Sequence, residues 1–325
     1  MLGTYPTPVQ RLDSLGSPGC ELWIKRDDLS GVAYGGNKVR KLEHILSQAR
    51  ERGASRIVTL GAVGSNHVLA TTLFGTRAGL RVAAILTPQP RTEHVVNNLR
   101  AAIAAGLEAY PAAHAALVPQ AYLRARQHGD FFVGPGGSSV TGSAGYVEAV
   151  RELNRQIEQG ELAVPDALVV ALGSAGTAAG ILAGIAELRL PIKVVGVRVV
   201  SPVLMGRYRA LALARGVARH CSIDAPWSRL ADSFELESRY LGNGYGHRTD
   251  AGDRATKDAR TCGLMLDPTY TAKAFAAALD LVKKATYRRV LYWHTLSSAP
   301  LAGLLESSPP FDDLPSELRS LARTH

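Results

Sequence analysis

The run Tyr34-Gly35-Gly36-Asn37-Lys38-Val39-Arg40-Lys41-Leu42-Glu43 sets a lysine just after a turn and inside the first turn of a helix. Its two glycines let the backbone bend sharply or come close to a ligand. Asn37 stands where a helix N-cap belongs, and Val39 onward reads as the helix. A cation at that end faces the positive pole of the helix dipole. Lys38 is thereby biased toward the neutral, nucleophilic amine that Schiff-base chemistry needs. An exposed lysine after a turn gives the same local pattern, so the rest of the chain has to decide between them.

A second loop has chemical potential. Leu172-Gly173-Ser174-Ala175-Gly176-Thr177-Ala178-Ala179-Gly180 follows the apolar run Ala167–Leu172 and opens a helix. Backbone N–H groups at such a helix start, with the Ser174 and Thr177 hydroxyls, form a cradle suited to phosphate. The spacing is neither GxxxxGK[ST] nor GxGxxG, and no ribose-binding acid follows, so nucleotide loops are not indicated. Tight helix–sheet packing would also explain the glycines. Gly61-Ala62-Val63-Gly64-Ser65-Asn66-His67 repeats the strand–loop–helix context. There Ser65 and Asn66 are either capping residues or polar groups of a pocket at a strand's carboxyl end, and His67 reads as a helix histidine satisfied by packing. Tyr245 lies among glycines in Gly242-Asn243-Gly244-Tyr245-Gly246, and Tyr270 precedes a helix in Asp267-Pro268-Thr269-Tyr270-Thr271. Lys25-Arg26-Asp27-Asp28 ends a strand, as either a solvated turn or a buried brace for the lysine run.

These residues need a scaffold, and the hydrophobic pattern describes one. Strands are expected at Arg56–Leu60, Arg81–Leu86, Phe131–Val133, Ala167–Leu172, Lys193–Val200 and Arg289–Trp293. Helices are expected at Ser65–Ala78, Glu93–Ala105, Ser143–Glu158, Thr177–Leu188 and Thr271–Lys284. Apolar strands alternating with helices imply α/β architecture: two doubly wound, open, mostly parallel sheets in three αβα layers. Composition shifts place a smaller α/β unit at 43–151, inserted in a larger one made of 1–42 and 152–325. Pro202–Asp250 shows no clear pattern.

With 325 residues, 46% hydrophobic and 20% charged, the composition is that of a globular protein. The formal charge of +9 is spread along the chain without a basic block, so nucleic-acid binding is not expected. No apolar run approaches the ~20 residues of a membrane span, and no basic-then-apolar leader opens the chain. Three distant cysteines and scattered histidines without CxxC, HxxxH or HExxH fit a cytoplasmic chain with no metal site.

A lysine amine, a phosphate cradle and no metal motif together suggest pyridoxal 5'-phosphate (PLP). The chain resembles fold-type II PLP enzymes, the 1-aminocyclopropane-1-carboxylate (ACC) deaminase/D-cysteine desulfhydrase group. The resemblance rests on Pro6-Thr7-Pro8, Lys25–Asp28, Gly35–Glu43, Ser65-Asn66-His67, Gly136-Gly137-Ser138 with Gly145-Tyr146-Val147, Gly173–Thr177 and Leu266–Ala274. It implies that Lys38 binds the cofactor covalently and moves protons. Ser65 would sit near the substrate carboxylate and α-carbon, and Asn66 at the cofactor's phenolic oxygen. Ser174, Ala175, Gly176 and Thr177 would form the phosphate cup, and Tyr245 and Tyr270 the active-site tyrosine pair. Thr271 follows the second tyrosine where deaminases carry Glu, as in the desulfhydrase branch. Without a carboxylate at the ring nitrogen the electron sink is weaker, which disfavours cyclopropane opening. Thr295 remains to face that nitrogen. Gly64 replaces the family's usual Gln, and Leu296-Ser297 replaces two glycines. The implied activity is a lyase on a small amino acid: α,β-elimination from D-cysteine, releasing pyruvate, ammonia and sulfide, in a homodimer. An ACC deaminase, another PLP lyase or β-replacement enzyme, and a PLP-binding protein without turnover are the alternatives.

Overall fold

The computed structural model describes residues 1–323. In chain order its elements begin with β1 (Val9–Arg11), β2 (Glu21–Arg26), α1 (Asn37–Glu51), β3 (Arg56–Ala62), α2 (Asn66–Arg77) and β4 (Arg81–Thr87). Next come β5 (Gln89–Pro90), α3 (Glu93–Ala104), β6 (Leu107–Pro111), α4 (Val118–Ala125), β7 (Asp130–Val133) and α5 (Val140–Glu158). They continue with β8 (Ala167–Leu172), α6 (Gly176–Leu188), β9 (Lys193–Arg198), α7 (Arg207–His220), α8 (Trp227–Asp232) and β10 (Phe234–Glu237). The last are α9 (Asp250–Thr261), α10 (Thr271–Lys283), β11 (Arg289–His294), α11 (Ala302–Glu306), α12 (Ser316–Arg319) and β12 (Ala322–Arg323). The unpatterned stretch 202–250 thus holds α7, α8 and β10.

The elements fall into two compact units, one built from Gly3–Lys41 and Ser138–Ser298, the other from Leu42–Gly137 and the residues from Ala299 on. These bounds differ in two places from those expected of the sequence, 1–42 with 152–325 and 43–151. Residues 138–151 join the larger unit because α5 packs along α6. The segment after 299 joins the smaller one because α11 packs on α3 and β12 pairs with β5, Ala322 opposite Gln89.

The larger unit carries a six-stranded sheet in the order β1-β2-β11-β8-β9-β10. All its neighbours are parallel except β1, which runs antiparallel to β2. Strand periodicity explains the layering. Leu168, Val170 and Leu172 of β8, with Leu291 and Trp293 of β11, pack against α5, α6 and α7. Ala167 and Val169, with Val290 and Tyr292, face α9 and α10 on the other side. Strands apolar at every position are therefore buried on both faces, as expected of a doubly wound sheet. The smaller unit has a parallel sheet in the order β6-β4-β3-β7. On one face Val58, Ala83 and Ile85 meet Ala121 and Ala125 of α4, and α2 packs on β4. Among the described residues no helix is long and apolar enough to cross a membrane.

Lys25-Arg26-Asp27-Asp28 proves to be the brace rather than the solvated turn. Asp27 is fully buried. Its carboxylate accepts from Arg40 Nη2 (2.8 Å), Tyr146 Oη (2.6 Å), Trp293 Nε1 (2.7 Å) and Thr7 Oγ1 (3.0 Å). Glu152 accepts from Arg40 Nη1 (3.0 Å) and Lys25 Nζ (2.6 Å). Burial would raise the Asp27 carboxyl, but the Arg40 guanidinium together with the Lys25 charge and the Tyr146 hydrogen bond outweighs it and holds the group below the usual carboxylate range. Removing one member of such a buried pair leaves a charge uncompensated. Asp27→Ala should therefore cost about 3–5 kcal/mol in urea unfolding at pH 7. Because the folded carboxyl is depressed, this advantage of the parent is present above pH ~4 and shrinks as pH falls through the folded titration. A loss below ~1 kcal/mol, as for an exposed pair, would contradict the assignment.

Candidate active site

Helix α1 starts at Asn37 rather than Val39, so Asn37 is not its cap. Gly36 makes the turn at φ +83°, and a Cβ there would lie 2.5 Å from the Thr295 carbonyl oxygen. The Asn37 backbone N–H donates to that carbonyl (3.1 Å), while its side-chain amide donates to Thr177 Oγ1 (3.0 Å). One residue thus ties the start of α1 to the loop following β11 and to the first turn of α6, which follows the loop after β8. Both loops leave the carboxyl ends of parallel strands, where α/β folds bind ligands. Lys38 is half-buried. Its amine is lowered from 10.5 to about 8, mainly by burial, with the Asp267 charge acting the other way. Burial thus favours the neutral amine, in the same direction as the helix dipole inferred from the sequence.

The loop after β8 adopts a cradle. Ala175 lies in the left-handed region at φ +64°, and α6 begins at Gly176. Ser174 Oγ lies 2.7 Å from Ser138 Oγ, which also accepts from the Gly176 N–H (3.1 Å) and from Lys41 Nζ (3.2 Å). A Cβ on Gly176 would come within 2.3 Å of Ser138 Oγ and 2.8 Å of Lys41 Nζ, so only glycine leaves this cradle open. Lys41 is 2% exposed. Burial, and next the charge of Lys38, push its amine well below the ordinary range. Sequence reasoning missed Lys41 and Ser138. The available signal was the three-residue spacing from Lys38, which puts both amines on one helix face. A phosphate dianion fits this set: it would accept from a helix N-terminus and hydroxyls and offset two crowded amines.

The two tyrosines meet. Tyr245 Oη and Tyr270 Oη are 2.8 Å apart, with the rings edge to face at 5.7 Å. Tyr270 packs over Gly173, where a Cβ would lie 3.0 Å from its ring. Burial raises both phenols, Tyr245 to about 12 and Tyr270 well above its ordinary value, so both are protonated donors at neutral pH. Asp267 was passed over as a site residue. Buried at the start of α10, it accepts from the backbone N–H groups of Thr269, Tyr270 and Thr271. The Thr271 hydroxyl donates to the same carboxylate (2.7 Å) and accepts from the Asp267 N–H (2.7 Å), which places it in the cap of α10.

The departures from the family pattern have physical partners. Ser297 Oγ accepts from the Gly35 N–H (2.8 Å), and Ser298 Oγ donates to Asp28 (2.6 Å), so hydroxyls lock the loop that leads into α1. Ser65 and Asn66 belong to the smaller unit. Ser65 caps α2, accepting from the N–H groups of His67 and Val68. Asn66 Oδ1 lies 2.7 Å from Asn98 Nδ2 and 2.9 Å from His94 Nε2, both on α3. Gly64 permits this: a Cβ there would strike Val95 Cα at 2.6 Å, so the glycine lets α3 approach Asn66. His67 is satisfied by Thr59 and Thr71. Among the sequence-derived residues, Lys38, Ser174–Thr177, Tyr245, Tyr270, Thr271 and Thr295 all belong to the larger unit.

A model described as pyridoxal-phosphate dependent enzyme matches residues 1–295. The chain belongs to this family. It is similar to the D-cysteine desulfhydrase of Salmonella paratyphi A, 33% identical over 305 residues, covering 89% of this chain and 91% of the relative. Its fold matches the crystal structure of an ACC deaminase homologue at TM-score 0.78 and 30% identity, covering 94% of this chain and 95% of that one. An L-serine ammonia-lyase from Rhizomucor miehei shares the fold at TM-score 0.65 and 16% identity, over 94% and 98% of the two chains. As a PLP-dependent enzyme, the protein should lose cofactor affinity when the cradle is filled. Gly176→Ala should weaken PLP binding about tenfold or more in absorbance titrations of cofactor-free protein, with far-UV circular dichroism unchanged. Unaltered affinity would show that the cradle is not the phosphate site.

Proposed function

We propose that this chain is a lyase that eliminates sulfide from D-cysteine, giving pyruvate and ammonia after hydrolysis. The observation that carries the reading is the placement of Lys38. Its amine, lowered to about 8, sits on the same helix face as Lys41, which donates into the Ser138–Gly176 cradle. PLP, when bound, supplies an electron sink for negative charge at an amino acid's α-carbon. Lys38 would hold it covalently and, once displaced by the substrate amine, accept the α-proton on Nζ. Ser138, Ser174, Ala175, Gly176, Thr177 and Lys41 would grip the phosphate, and Thr295 and Thr271 would lie toward the ring nitrogen.

The hydroxyl pair suits the leaving group. Because Tyr270 and Tyr245 are both protonated at neutral pH, one phenol can donate to the other while the second proton passes to the departing sulfur. Ser65 would bind the substrate carboxylate and Asn66 the cofactor's phenolic oxygen; the Ser65-Asn66-His67 motif and the hold of Asn98 on Asn66 support this. The substrate is taken from the desulfhydrase relative. The threonine after Tyr270, engaged with Asp267, favours elimination over ACC ring opening. A homodimer belongs to the same proposal and rests on the resemblance; a cytoplasmic location rests on the three distant cysteines.

Purified protein should show a visible absorbance band that Lys38→Ala abolishes, and should release pyruvate and sulfide from D-cysteine faster than keto acid from ACC. Tyr245→Phe should lower kcat about tenfold to a thousandfold. A band without turnover of any amino acid would make the chain a PLP binder. A preference for ACC would replace elimination by deamination.

A further inference from the structure

Lys273, the third residue of α10, is a fully buried lysine that the chemistry above leaves unused. A buried ammonium is unfavourable unless it is hydrogen-bonded. Its Nζ donates to the carbonyl oxygens of Leu241 (2.8 Å) and Gly244 (2.9 Å). Those carbonyls belong to the segment that ends in Tyr245. The segment is a glycine turn: the Gly244 N–H donates to the Leu241 carbonyl (3.3 Å), and Gly242, Gly244 and Gly246 adopt φ of +59°, +118° and +83°, a region glycine enters without steric penalty. Lys273 lies three residues after Tyr270, so a single turn of α10 carries both the partner phenol and the cation that grips the other phenol's loop. Asp267, at the start of the same helix, is the acid whose charge acts on Lys273.

We propose that Lys273 is a positioning residue: by holding the carbonyls of Leu241 and Gly244 it sets the Tyr245 hydroxyl against that of Tyr270. The inference rests on the reading of Tyr245 as a group that serves the substrate. The grip itself is independent of that reading, and the test separates the two.

The test uses holoenzyme and the variant Lys273→Met, which keeps the aliphatic stem and removes the donors. Amide exchange of peptides covering 241–246 should accelerate at least tenfold, with β8 and α6 unchanged and cofactor absorbance retained. With D-cysteine, kcat should fall tenfold or more while KM shifts less than threefold. Adding Tyr245→Phe should lower kcat no further than Tyr245→Phe alone, within twofold, because both changes remove one function. Unaltered exchange at 241–246, or penalties that multiply, would overturn the proposal. If Tyr245→Phe alone leaves turnover intact, the role of Tyr245 fails, and the exchange measurement still decides the role of Lys273. Should Lys273→Met not fold, Lys273→Gln is read in the same way. Failure of both to fold would mean that the lysine supports the fold as a whole, and the positioning role would be rejected.

Discussion

The site depends on a buried carboxylate. Asp27 gathers donors from four parts of the larger unit: Thr7 near the N-terminus, Arg40 on α1, Tyr146 on α5 and Trp293 on β11. At 100° per residue, Arg40 lies about 200° around the helix from Lys38. The ion pair therefore anchors the back of α1 and leaves its front for Lys38 and Lys41. Taking away one partner would leave a buried charge uncompensated at a cost of several kcal/mol, which ties the rotation of that helix to the network.

With α1 held, two further constraints bring the chemistry together. Gly36 allows the Thr295 carbonyl close approach, and Asn37 reaches Thr177, so the helix start touches the loop at the end of β11 and the first turn of α6. The result is a division of labour between two lysines three residues apart. Lys41, which donates to Ser138, is committed to the cradle. Lys38 has Asp267 near it, and burial lowers its amine to about 8. Asp267 ties this set to the tyrosines, because it caps the helix that begins just after Tyr270.

Much of this was legible in the chain. The apolar strands and the glycine loops carry strong local signals, since a strand buried on both faces must be apolar throughout and a cradle must lack side chains. The lysine run and the glycine loop stand out by residue type and spacing, and the family resemblance names the two tyrosines whose hydroxyls lie 2.8 Å apart. Pairings across long sequence distances were not legible. Nothing in Lys25–Asp28 says that Arg40 and Glu152 will meet it, and nothing in Ser138 says that it will sit beneath Gly176. The bounds of the units slipped for a similar reason: β5 and β12 are two residues each, too short for any periodicity. Helix α7 was hidden by its arginines, which cover the outer face and blur the apolar stripe. Asn37 was misread as a cap because the cap position and a pocket residue look alike when only the residue type is known.

The central claim is that Lys38, and no other buried lysine, makes the covalent bond to the cofactor. Lys41 and Lys273 are the competitors, since burial lowers the amines of both; it lowers that of Lys25 too, but Glu152 holds that amine at 2.6 Å. Borohydride reduction of the holoenzyme followed by peptide mass mapping separates the three. The structure predicts a pyridoxyl adduct on Lys38, with Lys41 and Lys273 unmodified. An adduct on either of the others, or on none of the three, would contradict it.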